Sequence, residues 1–458
     1  MEKKILCFMA VLISAVTFGQ DITGQWNGTL KVPGGQLRVV FNINKTADGY
    51  SSTMDSPDQK ANGIPVTTTS FENSVLKLEI KNANIVYEGT LNKDNIIVGN
   101  FTQGGQSLAL NMSRETAQKI TVIRTQEPKE PFSYYTEEVT FENKKDNAVL
   151  AGTLSLPQKE GNFPVVILIS GSGKQNRDSE LLGHKPFLVL ADCLTKRGIA
   201  VLRFDDRGTG KSTGDFSKGT TMDFSRDVQA GVDYLLTRKE INKKKIGLIG
   251  HSEGGVIDAI VAGNSKDVSY IVSLAGPGIR GDKLLLLQKE LVERQMRVPE
   301  NEIQKGQEIF KGAYEIILKS TVSDENLKTT IKSYFKSKFG DSLTDDQLNS
   351  YTSSITTPWI YYFLKFDPEP VFKKVKCPVL ALNGSKDLQV PAEINLEAIK
   401  KAVNSNGNKN VTTKILPDLN HLFQECITGS PTEYSSIEQT FSPKALEEIS
   451  NWILLQIK

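Results

Sequence analysis

Histidine, cysteine and tryptophan are scarce in this chain of 458 residues, which holds three, four and three of them. Cys7 falls in the first twenty residues. Cys193, Cys377 and Cys426 form an odd set at irregular spacing, which excludes a disulfide framework and a clustered metal site and leaves buried or free thiols. Neither sign of charge is in excess. Lys and Arg number 55 and Asp and Glu 53, a formal charge of +2, so nothing points to nucleic acid or to a charged membrane surface as a partner. Beyond residue 18 no apolar run approaches the ~20 residues that a membrane-spanning helix needs. Hydrophobic residues at 38% and charged residues at 24% are the balance of a soluble globular protein.

What is present begins with an address. Glu2-Lys3-Lys4 precedes an apolar run from Ile5 to Phe18 that ends in small residues, the pattern of a secretory signal peptide. Cleavage is expected near Gly19, giving an exported product, periplasmic or extracellular. Residues 20–114 then read as short alternating runs, such as Val75-Leu76-Lys77-Leu78-Glu79-Ile80. Turn signals at Asp48-Gly49, Asn62-Gly63 and Gly104-Gly105 separate them. About eight strands at this spacing predict a small all-β barrel or sandwich. It contains no histidine and is read as an accessory domain. Residues 115–135 are a polar linker with Pro128 and Pro131.

From 136 to 458 the pattern is α/β. Pro164 to Ile169 and Ile199 to Phe204 are buried strands, Phe187–Lys196 and Met222–Arg238 are helical, and Tyr270 to Leu274 is a further strand. This alternation predicts a doubly wound, mostly parallel sheet. It is interrupted at about 281–370 by purely helical periodicity before Pro378 to Leu382 resumes the strands, and Ala445 to Ile457 is the last helix. A helical block between two sheet strands is a cap over their carboxyl ends.

Gly250-His251-Ser252-Glu253-Gly254-Gly255 follows the apolar run ending at Ile249 and precedes a helical pattern. A Gly-x-Ser-x-Gly turn in that setting resembles the nucleophile elbow of α/β-hydrolases. Small neighbours are needed where strand and helix meet, and the N–H after the serine faces the oxyanion. A serine hydroxyl needs a base that is itself oriented by an acid. In this fold the order is nucleophile, acid, histidine, and only His421 follows Ser252. Two aspartates compete to orient it: Asp387, just after a buried strand, is preferred to Asp418, a turn residue after Pro417. The second oxyanion donor belongs to the loop Ser170-Gly171-Ser172-Gly173, where the N–H of Ser172 is expected beside that of Glu253, with Gly173 as the alternative. Gly173, His184, Trp359 and Phe363 are candidate pocket residues, while His251 is expected to support the turn.

The run 205–212 imitates a phosphate loop through Gly210-Lys211-Ser212, but Asp205 stands where the first glycine must be. Arg207 is therefore expected in structural ion pairs.

Stretches 169–178, 183–187, 202–212, 250–255, 357–368 and 384–391, with His421, resemble a group of bacterial capped esterases related to serine aminopeptidases and dienelactone hydrolases. The resemblance covers about 136–458 and implies hydrolysis of carboxylic esters through Ser252, Asp387 and His421. Ser170 departs from the histidine common before the oxyanion glycine. The function expected is a secreted serine esterase acting on a small-molecule ester with no metal and no organic cofactor. An aminopeptidase- or dipeptidase-like amide hydrolase is the second reading. A catalytically inert carbohydrate- or lipid-binding protein is the third. The oligomeric state is left open.

Overall fold

The computed structural model describes residues 21–32, 35–59, 61–103, 106–116 and 124–458. The signal peptide at 1–19, the Gly104-Gly105 turn and part of the 115–135 linker lie outside the described residues. The chain divides into two compact units, one running to Thr121 and the other starting at Val122.

In the first unit the strands are β1 (Gly24–Val32), β2 (Gly35–Thr46), β3 (Gly49–Ser56), β4 (Ala61–Pro65), β5 (Thr68–Glu72), β6 (Val75–Ile80), β7 (Ile85–Leu91), β8 (Ile97–Gln103), β9 (Gln106–Ala109) and β10 (Met112–Ser113). All pair antiparallel in one sheet, in the order β4-β3-β2-β1-β10-β8-β7-β6-β5, with β9 on β8. Between β4 and β5 the Val66 N–H donates to Ser52 O at 3.1 Å and the Thr67 N–H to Glu79 O at 2.7 Å. The Ser52 and Thr69 hydroxyls meet at 2.6 Å. These bonds curl the sheet round on itself. Strict alternation along β7 buries Ile85, Tyr87 and Leu91, the period of two that a one-faced strand requires. Trp26, Phe41 and Tyr87 fill one end of the interior. The indole N–H of Trp26 donates to Ile22 O at 2.8 Å and the Tyr87 hydroxyl to Leu110 O at 3.1 Å, so both buried polar tips are satisfied. Asn62-Gly63, read as a turn, lies inside β4. Gly63 has φ of +67° and donates its N–H to Asp55 Oδ1 at 2.6 Å, beside a register shift in the β3–β4 ladder. The positive φ marks a β-bulge rather than a chain reversal.

The second unit holds β11 (Tyr135–Asn143), β12 (Ala148–Leu156), β13 (Phe163–Ile169), β14 (Ala200–Phe204), β15 (Ile241–His251), β16 (Val268–Leu274), β17 (Val379–Gly384) and β18 (Val411–Leu416). The sheet order is β11-β12-β14-β13-β15-β16-β17-β18, antiparallel around β12 and parallel from β14 onward. Helices α1 (Pro186–Lys196), α2 (Thr221–Thr237), α3 (Gly254–Asn264), α10 (Ala392–Ser405) and α11 (Pro443–Gln456) cover it. Within β13, Val165, Ile167 and Ile169 face the core shared with α2, α3 and α10, while Val166 and Leu168 face the core shared with α1 and α11. Burial on both faces is why the parallel strands read as unbroken apolar runs. Sequence analysis does not anticipate α10.

Between β16 and β17 stand α4 (Gly281–Gln295), α5 (Glu300–Lys319), α6 (Glu325–Phe339), α7 (Asp345–Thr356), α8 (Pro358–Lys365) and the short α9 (Glu369–Phe372). Helices α5 to α8 share a core of their own around Ile317, Ile331 and Phe335. Phe372 of α9 belongs to the core of the main sheet. Residues 124–127, read as part of a polar linker, are fastened to this unit. Arg124 donates to the carbonyls of Ser435 and Ile437, and Gln126 accepts from the N–H of Thr440 at 2.6 Å and of Phe441 at 3.0 Å.

Candidate active site

The strand β15 ends in the tight turn that the glycine spacing demands. Ser252 has φ of +54°, a left-handed conformation rare for a residue with a side chain and typical of strain held at functional positions. Its N–H donates to Leu274 O at 2.8 Å. A Cβ on Gly250 would strike the Gly254 carbonyl, and one on Gly254 the Ile169 carbonyl. Only glycine lets β13, β15 and α3 converge here.

His421 and Asp387 meet across the ends of β17 and β18. The His421 Nδ1–H donates to Asp387 Oδ2 at 2.8 Å, and both residues are buried. The other carboxylate oxygen, Oδ1, accepts the N–H groups of Gln389 at 2.8 Å and Val390 at 2.9 Å. Asp418, the competing aspartate, is 69% exposed at its side chain and pairs with Lys386 at 2.8 Å. The loop bearing His421 is tied by Asn420, whose Oδ1 accepts from Leu422 and Gln424. His251 lies behind it, its Nε2–H donating to His421 O at 2.8 Å. Burial pushes the His251 pKa down to about 3, with the neighbouring His421 adding to the shift, so its ring stays neutral.

Ser252, Glu253, His421, Gly171 and Ser172 line one cavity of about 250 Å³. A Cβ on Gly171 would lie 3.0 Å from that of Ser252, so the 170–173 loop passes directly against the turn. Gly173, read as a candidate pocket residue, is exposed, has φ of +92° and is not among the residues lining this cavity.

The loop is held from below by a residue that sequence analysis missed. Asp206 accepts the Ser170 hydroxyl at 2.7 Å and the Gln175 N–H at 2.8 Å. Burial pushes its pKa up to about 7. Asp206 sits in the run set aside as a false phosphate loop, and no local pattern distinguishes it there. Its neighbour Arg207 binds Asp227 at 2.7 Å and Asp146 at 2.9 Å and lies outside the cavity lining.

Glu253 is 2% exposed. It accepts the Thr221 hydroxyl at 2.6 Å and the Trp359 indole N–H at 2.9 Å to each oxygen, and it bonds the Ser172 side chain. Burial raises its pKa. Trp359 stacks on Phe363 with centroids 5.1 Å apart. Both line the cavity, as do Leu284, Leu285 and Gln288 of α4. His184 also lines it but is committed elsewhere, with Nε2 bonded to Tyr434 O at 2.8 Å and Nδ1 to the Thr440 hydroxyl at 3.1 Å. Burial lowers its pKa. Among the described residues no lysine or arginine lines the cavity, and Glu253 is the single carboxylate in its lining. Among the described residues no cluster of His, Cys, Asp or Glu is arranged to hold a metal.

This geometry can be set beside known proteins. The chain is 25% identical over 326 residues to the esterase EstD of Thermotoga maritima, covering 70% of this chain and 69% of that one. The Pyrococcus furiosus esterase Pf2001 aligns over 70% of this chain and 93% of its own, at 17% identity and a TM-score of 0.42. Est1E of Butyrivibrio proteoclasticus aligns over 70% and 99%, at 18% identity and a TM-score of 0.41. The family model described as serine aminopeptidase, S33, matches residues 185–425, a span that begins just before α1, takes in the turn at Ser252 and the inserted helices, and ends beyond His421. With more than half of its length matched, the chain belongs to the serine aminopeptidase, S33, family of α/β-hydrolases.

Proposed function

We propose that this protein is a serine esterase that cleaves small, neutral carboxylic esters through an acyl-enzyme. Ser252 attacks the ester carbonyl while His421 takes its proton at Nε2. The N–H groups of Glu253 and Ser172 receive the oxyanion. His421 then returns the proton to the leaving alcohol, and water repeats the cycle on the acyl group. Asp387 keeps the imidazole in the tautomer whose Nε2 can accept.

The observation that carries the ester reading is the character of the cavity. Its walls are mainly apolar, among them Phe187, Leu284, Trp359 and Phe363, and among the described residues no lysine or arginine lines it to recognise an anionic substrate. Recognition of a peptide's free amine would require an available carboxylate. The one carboxylate lining the cavity among the described residues, Glu253, already has both oxygens engaged by Trp359 and one by Thr221. The relation to EstD, itself named an esterase, points the same way. Residues 1–19 are proposed as a leader removed on export, residues 20–114 as an accessory domain, and residues 281–370 as the cap.

The test is a panel of p-nitrophenyl esters of increasing acyl length run against aminoacyl p-nitroanilides. Turnover of short neutral esters with little release from the anilides is expected. Preferential cleavage of anilides with a free amine would replace the reading with an aminopeptidase. Failure on both, with no covalent labelling by a fluorophosphonate, would favour an inert binding protein.

A further inference from the structure

The curled sheet of the first unit is filled at one end and hollow at the other. Trp26, Phe41 and Tyr87, all fully buried, close the filled end. The hollow end holds a cavity of about 440 Å³. Its floor is formed by Leu30, Val39, Met54, Ile85 and Phe101, each 4–6% exposed. Leu37, Ile64, Ala83 and Leu108 stand half-buried around it. Among the described residues no ionisable side chain lines it. The polar lining consists of Ser56, Gln59 and Gln103. Ser56 donates to Gln59 Oε1 at 2.8 Å, and among the described residues the Gln59 amide N–H groups have no hydrogen-bond partner.

Such a space is not ordinary slack in a core. Interiors are packed to crystal density with few voids larger than a water, and an engineered void of about 150 Å³ lined by Leu, Ile and Phe is enough to take up benzene. This cavity is about three times that volume, and the mouths of small β-barrels are a recurrent place for apolar ligands. Its lining fixes the chemistry. An ionised head group would be desolvated against leucine and methionine with no counter-charge, which is costly. A neutral alkyl or acyl chain would exchange water for apolar contact over its whole length.

We propose that the first unit binds a neutral, unbranched alkyl or acyl chain in this cavity, with a hydroxyl or ester end at the Ser56–Gln59 side. The inference stands independently of the esterase reading, since no residue of the second unit enters it.

Methionine supplies a local reporter. Of the six methionines, Met54 lines the cavity, Met112 is buried in the same core outside the lining, and Met222 and Met296 belong to the second unit. The full-length protein, labelled with ¹³C at the methionine methyls, is titrated with 1-decanol and followed by NMR. The Met54 methyl is expected to shift saturably, while Met222 and Met296 follow any binding in the second unit separately. Ala83→Phe, which fills the cavity from its rim, should weaken the Met54 response by about tenfold, the loss expected when roughly two methylenes can no longer be buried. If Ala83→Phe also displaces the Met112 methyl in the absence of decanol, Leu108→Gln serves in its place and should weaken binding in the same direction. An unmoved or merely linear Met54 signal up to the solubility limit overturns the proposal. So does an affinity unchanged by the variant whose Met112 signal is native.

Discussion

Replacing Asp387 by Asn tests the proposed catalytic set with little change of shape. The carboxylate has two distinct tasks. Oδ1 accepts the backbone N–H groups of Gln389 and Val390, and Oδ2 accepts the His421 Nδ1–H at 2.8 Å. An asparagine has one acceptor oxygen. Two backbone donors fix that oxygen on the Oδ1 side, so the amide NH₂ must face His421. The imidazole can then bond only by presenting an unprotonated Nδ1, which moves its proton to Nε2 and removes the lone pair that would accept the serine proton. The same exchange in a serine protease lowers turnover by about 10⁴, close to 5.4 kcal/mol of transition-state stabilisation at 1.36 kcal/mol per decade. The expected result is a fall of that order in kcat, measured on p-nitrophenyl acetate per mole of folded protein, with KM altered far less. Stability should change little, because the two backbone bonds persist. Asp418→Asn removes only an exposed pair with Lys386 and should leave kcat within about twofold, since such pairs contribute 0–1 kcal/mol. Asp387→Asn retaining more than about a tenth of the activity, or Asp418→Asn matching its loss, would refute the reasoning.

Other outcomes follow from the same geometry. Ser252→Ala should fold normally and lose both esterase activity and fluorophosphonate labelling, and a label that persists places the nucleophile elsewhere. Trp359→Phe keeps a ring against Phe363 but removes the donor to the buried Glu253 carboxylate. A loss of about 1.5–3 kcal/mol is expected for a hydrogen bond to a charged group, read by urea unfolding, while Trp359→Ala should additionally shift preference toward longer acyl chains. His251 has a folded pKa near 3 against 6.5 when unfolded, so the unfolded state binds the extra proton between those values and stability falls as pH drops through that window. The slope approaches 1.4 kcal/mol per unit. Asp206, held near 7, titrates in the opposite sense, its penalty growing as pH rises from about 4 to 7, so the measurement is the difference in unfolding free energy between wild type and His251→Gln at pH 7 and 5. An equal pH dependence in the two proteins would show that His251 is not held neutral by the fold. A chain begun at residue 122 should turn over a small ester near the full-length rate per titrated site. One begun at 130 loses the bonds of Arg124 and Gln126 to 435–441 and should melt earlier, and identical melting curves would dismiss that anchoring.

What the sequence by itself determined are features whose cause is local. Gly250 is forced by a clash with the Gly254 backbone four residues on, and the buried strands announce themselves as runs of Val, Ile and Leu because both of their faces are covered. The alternation of these strands with helices carries the α/β architecture, and the alternating runs before residue 114 carry the β sheet. Tertiary structure decided whatever depends on two distant segments meeting. Chain order favours Asp387 over Asp418 in the sequence without placing either, and only the approach of the β17 and β18 ends brings one of them within 2.8 Å of His421 while leaving the other in solvent. Asp206 supports the 170–173 loop across 36 residues of chain, and Glu253 meets Trp359 across 106. Neither spacing has a period that a pattern could reveal. Asn62-Gly63 has the composition of a turn, yet the ladder to β3 absorbs its positive φ as a bulge. The hollow at the end of the first unit is likewise invisible in the chain, because an inward-facing leucine has the same alternation whether it meets another side chain or an empty space.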